Sequence, residues 1–528
     1  MIKYLPGKLE FSWFFIALLG FIIVLPFSHA LVSIFGGVIF VIALIEDNWK
    51  NKIDRLKESK YLLAFPAIYS MYIVSYLLFY REGSSTYDLQ KAMFFLVLPV
   101  GFIFGKPLSN KQKRFLFYAF VFSVFVAILL ALFNYFTLSQ TENFEVHSIS
   151  IISHIRFSFQ LALAAWFLIL FISKNKNTTS FNQKLSLIIL TAFITGFLFF
   201  QQSLTGIFAF VTSVLFFLVY SIIQFQKKYR NLIISFLLLF TIIPIIYVSW
   251  VVYSFYDIEE VSFSELEEKT INGNLYEHHL QNKSVENGNY TFLYICHDEL
   301  RDEWNKISDI KYDDDLPNGF PLYSVLIRYM TSKGLRKDAN GFNSMTKQDI
   351  KNVENGMANI IYEKKYSLYP RIYQTVWEFY MYSETGDPNY QSFSQRIEFS
   401  KAALSIIKRN FWFGVGSGNW KQEFAQTYKS SNSKLRKELY ASSHNQYLNY
   451  WVKFGFVGLL IILFLLIYPV IKTKSYTDSL FLVFLVFMLF ANFADSNFES
   501  HMGSSFFVFF FCLFIIRPRK SYLYLKNK

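Results

Sequence analysis

Ionisable side chains are scarce in the apolar stretches of this chain, and the few that occur lie near the ends of those stretches. They are His154, Arg156, His444, Lys453, Asp495, Glu499 and His501. Histidine side chains titrate near neutral pH and act as general bases. Arginine keeps its charge and binds phosphate oxygens through two parallel hydrogen bonds. These residue types, gathered where apolar runs end, predict a polar site at the edge of a membrane.

The apolar runs themselves predict an integral membrane protein. Of the 528 residues, 53% are hydrophobic and only 17% are charged, whereas an ordinary soluble domain carries roughly 25% charged residues. A helix that crosses a bilayer needs about 20 mostly apolar residues. Twelve such runs are found, near Phe11–Phe27, Ala30–Ile45, Tyr61–Tyr80, Ala92–Gly105, Phe115–Phe136, Phe157–Ser173, Leu185–Phe200, Ile207–Gln224, Asn231–Tyr253, Gln446–Val470, Ser479–Phe493 and Ser504–Ile516. A cleaved signal peptide ending near Ser28-His29-Ala30 is the alternative for the first run, but a second run follows at once, as in a helical hairpin.

Basic residues are distributed unevenly between the two ends of these runs. One set of connections and both termini carry 24 Lys and Arg, whereas the short loops opposite carry only Arg81, Lys91 and Arg156. Lys and Arg concentrate on the cytoplasmic side of membrane proteins, so both termini are predicted to be cytoplasmic in a bacterial inner membrane. The net charge of +13 then belongs to a rim that faces anionic membrane lipids. No nucleic-acid partner is predicted.

One segment, residues 254–445, is polar and long enough to bury a core of its own. By parity it lies on the periplasmic side, and an apolar pattern near Ser394–Lys408 predicts a helix within it. The predicted fold is therefore an all-α integral membrane protein with about 12 transmembrane helices. Nine spans occupy residues 1–253, one large, mainly helical periplasmic loop occupies residues 254–445, and three spans with a cytoplasmic tail occupy residues 446–528.

The most specific motif of the chain closes this loop. The stretch Ser443-His444-Asn445-Gln446-Tyr447-Leu448 is followed in the next span by Gly455-Phe456-Val457-Gly458. A His-Asn pair at the end of a large outer loop, then Tyr-Leu and a Gly-x-x-Gly, is similar to the pattern of the O-antigen ligase and polymerase superfamily. Members of that superfamily often carry an acidic residue where this chain has Lys453. The resemblance implies a GT-C-like membrane fold and the transfer of a lipid-linked glycan.

A second part of the resemblance lies upstream of the His-Asn pair. Arg396 begins a helix that leads into Gly414-Val415-Gly416-Ser417-Gly418, and the family likewise has an Arg-led helix followed by a Gly-x-Gly turn. The family commonly has a proline before the first glycine, where this chain has Phe411-Trp412-Phe413. Without the lysine and hydroxyl residue of a P-loop, the glycines by themselves indicate a turn.

The resemblance also implies roles for these residues. The donor would be a glycan on undecaprenyl diphosphate, so that breaking the bond between sugar and phosphate builds negative charge that an arginine can stabilise. His444 is the expected general base, and Arg396 and Arg156 are expected to hold the diphosphate. Many members place an arginine at the position of Leu204. Either Arg156 supplies the missing positive charge from a neighbouring span, or the resemblance to this branch of the family is looser. The expected substrate-binding residues are Asn445, which is also expected to orient the imidazole or contact the donor sugar, and Gly414, Gly416, Tyr447, Arg371 and His154.

No metal and no cofactor are predicted. Asp313 and Asp315 form an Asp-x-Asp pair, which binds a divalent metal in nucleotide-sugar glycosyltransferases. Nucleotide sugars are cytoplasmic and this loop is expected outside, so a solvated acidic turn is favoured. His278 and His279 adjoin each other without the spacing of metal ligands.

Three acceptors remain open within the family. They are lipid A core for a ligase, another repeat unit for an O-antigen or exopolysaccharide polymerase, and a protein hydroxyl for a protein O-oligosaccharyltransferase. The segment Gly334–Gly341 is similar to a Bacteroidetes-type branch of the ligases and favours lipid A core, in an inverting, metal-independent transfer. A non-enzymatic glycolipid transporter or sensor is the alternative from another class, although the scarcity of charge inside the spans disfavours a transporter.

Overall fold

The computed structural model describes residues 10–138, 149–174, 180–224, 227–258, 260–262, 265–364 and 367–516. In chain order its helices are α1 (Trp13–Val24), α2 (His29–Ile45), α3 (Trp49–Glu58), α4 (Ala64–Leu78), α5 (Tyr87–Ala92), α6 (Phe94–Phe104), α7 (Asn110–Leu138), α8 (His154–Lys174), α9 (Phe181–Phe200), α10 (Leu204–Gln224), α11 (Lys227–Tyr256), α12 (His297–Ile307), α13 (Leu322–Ser332), α14 (Ala339–Asn343), α15 (Lys347–Glu354), α16 (Tyr369–Thr385), α17 (Ser392–Arg409), α18 (Trp420–Ser430), α19 (Gln446–Thr473), α20 (Ser479–Ala494) and α21 (His501–Ile515). Two short strands, β1 (Val285–Glu286) and β2 (Asn289–Tyr290), pair antiparallel. The described part of the chain is mainly helical, which is consistent with the all-α prediction.

Eight of the described helical segments are long and apolar enough to cross a membrane, and a ninth results if α2 and α3, bent by 114° at their junction, count as one span. Helices α1, α20 and α21 are also apolar, but they are shorter than these eight segments. A helix rises 1.5 Å per residue, so a short helix needs flanking residues or a thinner bilayer to span it. The chain is an integral membrane protein, and the number of twelve spans stays a prediction.

Polar side chains define where the apolar helices begin. The hydroxyl of Ser12 accepts a hydrogen bond from Phe15 N at the start of α1. Glu46 adds to this cap, because its carboxylate accepts from Trp13 N and Phe14 N at 2.8 and 3.0 Å. The first N–H groups of a helix have no partner inside the helix, and in an apolar solvent each unpaired group is costly. These caps therefore fix both the helix start and the packing of α2 against α1.

The described residues form two compact units. The first comprises residues within 1–135, 146–230 and 396–528, and the second comprises residues within 136–145 and 231–395. Residues 396–445 of the predicted periplasmic segment thus pack with the apolar helices of the first unit. The predicted boundaries at 254 and 445 describe which residues face one side of a membrane rather than which residues pack together, and they stay predictions.

The second unit has a core of its own. Helices α12, α13 and α15 supply most of a buried cluster that includes Leu300, Trp304, Leu326, Tyr329 and Val353. Its surface is rich in ion pairs, among them the bidentate pair between Arg301 and Asp313 at 2.8 and 3.1 Å. Asp313, one of the two residues of the Asp-x-Asp pair, is thus bound by a guanidinium.

Helix α17 confirms the helix predicted near Ser394–Lys408. It carries Arg396 and packs against other helices of the first unit. Its buried apolar side chains are Phe399, Ala402, Ala403, Ile406 and Ile407, which pack in one cluster with residues of α18 and α19. Spacings of three and four residues place these side chains on one helical face. This face fixes the rotation of α17, and therefore the direction of Arg396 near its start.

Candidate active site

His444 lies in the turn just before α19 and has an unusual backbone conformation. Its φ angle is +50°, in the left-handed region that few residues other than glycine adopt. The neighbouring side chains stabilise this turn, since Ser443 Oγ donates to Asn449 Oδ1 at 2.8 Å and accepts from Asn445 N at 3.3 Å. Strained backbone at a residue of this kind is typical of functional sites. The turn lifts His444 out of the helix, so that its side chain remains 40% exposed.

The imidazole of His444 contacts a buried carboxylate. Its Nδ1 lies 3.2 Å from Asp495 Oδ1, in the loop between α20 and α21, and the Asp495 side chain is only 7% exposed. Burial alone would raise the pKa of Asp495, but Arg156 and His444 outweigh it and hold that pKa well below its ordinary value. An ionised carboxylate can only accept, so the proton belongs on Nδ1. Nε2 is then left to accept a proton from another group.

Arg156 binds the other oxygen of the same carboxylate. Its Nη1 donates to Asp495 Oδ2 at 2.8 Å and to Asn497 Oδ1, and its Nε donates to Ser500 Oγ at 3.0 Å. The side chain is 12% exposed. Among the described residues Nη2 has no hydrogen-bond partner, which leaves part of the guanidinium available to an anion. Two residues predicted separately, His444 and Arg156, therefore meet through Asp495.

Arg396 approaches the same loop from α17. Its Nη1 donates to Ala494 O at 3.0 Å, one residue before Asp495. Within the described part of the chain its Nε and Nη2 have no hydrogen bond. Phe399, one turn further along α17, lies against the imidazole of His444 with ring centroids 5.5 Å apart and an interplanar angle of 28°. Helix α17 therefore brings one guanidinium to the site and packs against the imidazole.

The first turns of α19 form hydrogen bonds with the loop that carries Asp495. Gln446 Oε1 accepts from Phe498 N at 2.8 Å, and Asn449 Nδ2 donates to Ser496 Oγ at 2.7 Å. Both amides are buried, and a spacing of three residues places them on one face of the helix. The relative positions of the imidazole and its carboxylate are thus fixed by buried hydrogen bonds.

Lys453 lies deeper along α19 in a buried ionic network. Its Nζ is 2.5 Å from Asp88 Oδ2 and 2.6 Å from Glu499 Oε2, and its side chain is 2% exposed. Glu499 also accepts from Gln446 Nε2 at 3.3 Å, and Asp88 accepts from Trp420 Nε1 at 2.7 Å. Lys453, which stands where the family often has an acidic residue, thus ties the α20–α21 loop to α5.

The glycine turn packs against a break in α19 rather than contacting the imidazole. Gly455 has φ +68° and ψ −176° inside α19, so the helical ladder is interrupted there. Val415 N and Gly416 N donate to the carbonyls of Val452 and Lys453 at 2.9 and 3.0 Å, and Phe456 N donates to Phe411 O at 2.8 Å. A Cβ on Gly414 would lie 2.6 Å from this backbone. The contacts of Gly414 and Gly416 are therefore those of close backbone packing.

Asn445 and Tyr447 are engaged in helix geometry. Asn445 Oδ1 accepts from the N–H groups of Tyr447 and Leu448, and its Nδ2 donates to Phe493 O at 2.9 Å. Asn445 is thus the N-cap of α19, and Asp495 rather than Asn445 makes the orienting contact with the imidazole. The Tyr447 hydroxyl donates to Leu489 O at 3.0 Å.

The remaining predicted residues lie around or outside this cluster. His154 is the first residue of α8, two positions before Arg156. Leu204 is 41% exposed at the start of α10, and the preceding Ser203 Oγ lies 3.4 Å from Ser158 Oγ on α8. Arg371 belongs to the second unit, where its Nη1 donates to Gln374 Oε1 at 2.9 Å. The site described here consists of residues of the first unit.

Asp495 is one of the ionisable residues near the ends of the apolar runs, but the sequence by itself predicts no role for it. Asp495 stands out in the sequence only because few ionisable residues lie next to the apolar runs. Gln446 and Asn449 form a second feature, because two amides three residues apart interrupt an apolar helix. Neither feature predicts which residues these side chains contact, because the contacts form only in the folded chain.

Residues 340–463 match a family model described as O-antigen ligase. The match includes Arg396, the glycine turn and His444, and it ends beyond the break in α19. It confirms the family resemblance and supports a ligase- or polymerase-type glycosyltransferase function. Among curated proteins, no significant match to the chain is found.

Proposed function

We propose that the protein transfers a glycan from undecaprenyl diphosphate to a hydroxyl group of lipid A core. The match of residues 340–463 to a family model described as O-antigen ligase supports this proposal. The proposed location is the periplasmic face of a bacterial inner membrane, with both termini in the cytoplasm. The reaction inverts the anomeric centre and uses no metal. The observation that carries this proposal is the shared carboxylate of Asp495, which joins a base, His444, to a phosphate-binding side chain, Arg156.

In this mechanism His444 Nε2 takes the proton of the acceptor hydroxyl. The acceptor oxygen forms a bond to the anomeric carbon from the face opposite the diphosphate, and the bond between that carbon and the diphosphate oxygen breaks. Asp495 stabilises the imidazolium that results, as a carboxylate does behind a catalytic imidazole. Nη2 of Arg156, with Nε and Nη2 of Arg396, bind the oxygens of the leaving diphosphate, where negative charge develops. The products are the glycosylated acceptor, undecaprenyl diphosphate and a proton that His444 releases to solvent.

In vitro transfer by the purified full-length protein tests the chemistry. His444→Asn tolerates the left-handed backbone and should lower the turnover number by about 10² to 10⁴, the usual contribution of a general base. Asp495→Asn keeps the shape of the side chain and removes its charge, and it should also lower turnover. His279→Ala, in the second unit, is the matched control and should keep full activity. Undiminished transfer by His444→Asn at normal protein levels would refute the role of this residue.

The glycan phenotype of a deletion strain separates the acceptors. Loss of a ligase leaves polymer unattached to lipid A core, whereas loss of a polymerase leaves single repeat units on the core. Loss of a protein O-oligosaccharyltransferase leaves lipopolysaccharide intact and removes glycans from proteins. If the purified protein transfers nothing from a lipid diphosphate donor to any of these acceptors, the result favours the alternative of a non-enzymatic transporter or sensor.

A further inference from the structure

A second group of cationic side chains includes Lys91, which interacts electrostatically with Glu499 of the α20–α21 loop. We define the cation patch as Lys91, Lys421 and the ring of Tyr87. Lys91 Nζ lies 4.2 Å and Lys421 Nζ 4.8 Å from the centroid of that ring. Tyr87 and Lys91 belong to α5, and Lys421 is the second residue of α18. Two ammonium groups from separate parts of the chain therefore meet at one aromatic ring.

The neighbouring carboxylates neutralise the cation patch only in part. Lys91, Lys421 and Lys453 carry three positive charges against two on Asp88 and Glu499, the carboxylates that act on Lys91, and both of these carboxylates are ion-paired with Lys453. In the described part of the chain, the ammonium groups of Lys91 and Lys421 form no hydrogen bond and no ion pair. Like charges held close together repel one another, so the arrangement is stabilised when an anion binds between or beside the amines.

The patch lies near one end of a candidate membrane span, where lipid headgroups are expected. Residues Tyr87–Phe104 form a candidate membrane span, and Lys91 is the fifth residue of that span. Glu499, which shares a loop with Asp495, places the patch at the same end of the helices as the candidate active site. Lys91 directly precedes the apolar run Ala92–Gly105 and is one of only three basic residues that the sequence places between the runs on the sparsely charged side. Another of the three, Arg156, lies in that site. Basic residues are disfavoured on that side, so both positions indicate a function for the charge.

We propose that Lys91 and Lys421 form an anion-binding subsite for a phosphate group carried by a lipid of the same leaflet. Ammonium groups on flexible stems bind phosphate as point charges. The phosphate has two possible sources, the lipid anchor of a glycolipid acceptor and a phospholipid headgroup. The acceptor assignment rests on the proposed function, whereas phosphate binding itself does not.

Binding to the purified full-length protein in detergent tests the subsite. The probes are lipid A, which carries two phosphates, phosphatidylglycerol, and zwitterionic phosphatidylcholine as the reference. Each amine should contribute about fivefold to the affinity for an anionic probe, and both together about 25-fold. The variants are K91M, K421M and the double variant, with K429M, an exposed lysine of the same helix α18, as the matched control.

The outcomes separate the two sources. Weaker binding of lipid A alone by the double variant assigns the subsite to a glycolipid, and weaker binding of both anionic probes assigns it to headgroup phosphate in general. Equal binding by the wild type and the double variant overturns the proposal, as does a wild type that does not prefer anionic probes over phosphatidylcholine. If the double variant melts at a lower temperature than the wild type, K421E, on an exposed side chain, repeats the test.

A transfer assay adds a second readout that a merely structural role would not change in the same way. With lipid A core as acceptor, the double variant should raise KM for the acceptor about 25-fold and leave kcat unchanged. A protein that binds anionic lipid through this patch but transfers no glycan would refute the proposed function and leave the subsite intact.

Discussion

Asp495 joins the two chemical groups that the proposed reaction needs. One oxygen contacts the imidazole of His444 and the other binds Arg156, so the orientation of the base and the position of the guanidinium depend on one side chain. Because Asp495 is buried, neither partner can be removed without leaving a charged or polar group poorly solvated. At the residue scale, the base and the arginine are therefore expected to be energetically coupled.

The first residue-scale prediction concerns the arginine that this chain lacks at position 204. Leu204 begins α10, and Ser203 contacts Ser158 on α8, two residues beyond Arg156. Arg156→Ala should lower the initial rate of transfer by about 10² to 10³, the usual effect of removing one donor to a developing charge. Adding L204R should restore part of the rate, because a guanidinium returns near the start of α8.

The control for this rescue is L204M in the same Arg156→Ala background. Methionine changes the side chain at position 204 without adding a charge. Equal recovery with methionine and with arginine would show that charge at position 204 is irrelevant.

A second residue-scale prediction concerns Lys337 of the second unit. Burial lowers the pKa of Lys337 from 10.5 to about 7. Between these values the unfolded chain binds the proton that the folded chain has lost, so the free energy of unfolding should rise as pH increases from about 7 to 10.5. K337M should be more stable than the wild type at pH 7 and should lose this dependence.

Thermal melting of the full chain in detergent across this pH range measures the effect of Lys337. K347M, which replaces an exposed lysine of α15, should follow the wild type. Parallel melting curves for the wild type and K337M would contradict the prediction.

The break in α19 illustrates what decides structure at the scale of elements. Gly455 interrupts the hydrogen-bond ladder of an apolar helix, and the turn of residues 411–416 supplies and accepts the hydrogen bonds that the helix would otherwise make itself. Backbone groups in an apolar solvent must be paired within the protein. The glycine turn and the Gly-x-x-Gly motif, far apart in sequence, are therefore two halves of one packing feature.

A pair of glycine substitutions tests this feature. At Gly455 a Cβ would lie 2.2 Å from the carbonyl carbon and oxygen of Trp412, and the positive φ disfavours any other residue. G455A should therefore destabilise the protein by several kcal/mol, an effect that is exceptional for a single substitution, and should reduce its level in the membrane. G196A is the control, because nothing lies within 4 Å of the Cβ position at Gly196 in α9. Similar melting temperatures for G455A and G196A would show that the break is not required.

Element type was largely accessible from the sequence, whereas the contacts of the site were not. Apolar runs predict helices because period and length suffice, and α17 follows from its apolar face. The motif around His444 and Arg396 was found by resemblance. In contrast, Asp495, Gln446 and Asn449 acquire their roles only when α19 meets the α20–α21 loop, and that pairing has no local signature. The glycines were recognised as a turn, but their partner, the break in α19, is set by long-range packing.

At the scale of the whole molecule, the membrane orientation is a prediction that rests on charge alone. Both native cysteines are buried, so a thiol reagent needs an introduced site. Ile271 is 84% exposed in the segment predicted to be periplasmic, and Lys50 is exposed in a connection predicted to be cytoplasmic.

A membrane-impermeant maleimide therefore provides the test of orientation. It should label I271C in intact spheroplasts and K50C only after lysis. Labelling of K50C in intact spheroplasts, or of I271C only after lysis, would reverse the assigned sides and exclude a periplasmic site.

The left-handed backbone at position 444 limits which residues can occupy it during evolution. Glycine, asparagine, aspartate and histidine accept this conformation most readily. Of these only histidine offers a nitrogen that titrates near neutral pH. Backbone geometry and acid–base chemistry thus favour the same residue for independent reasons. A descendant of this chain that kept the fold but lost the reaction should therefore show glycine or a short polar residue at this position.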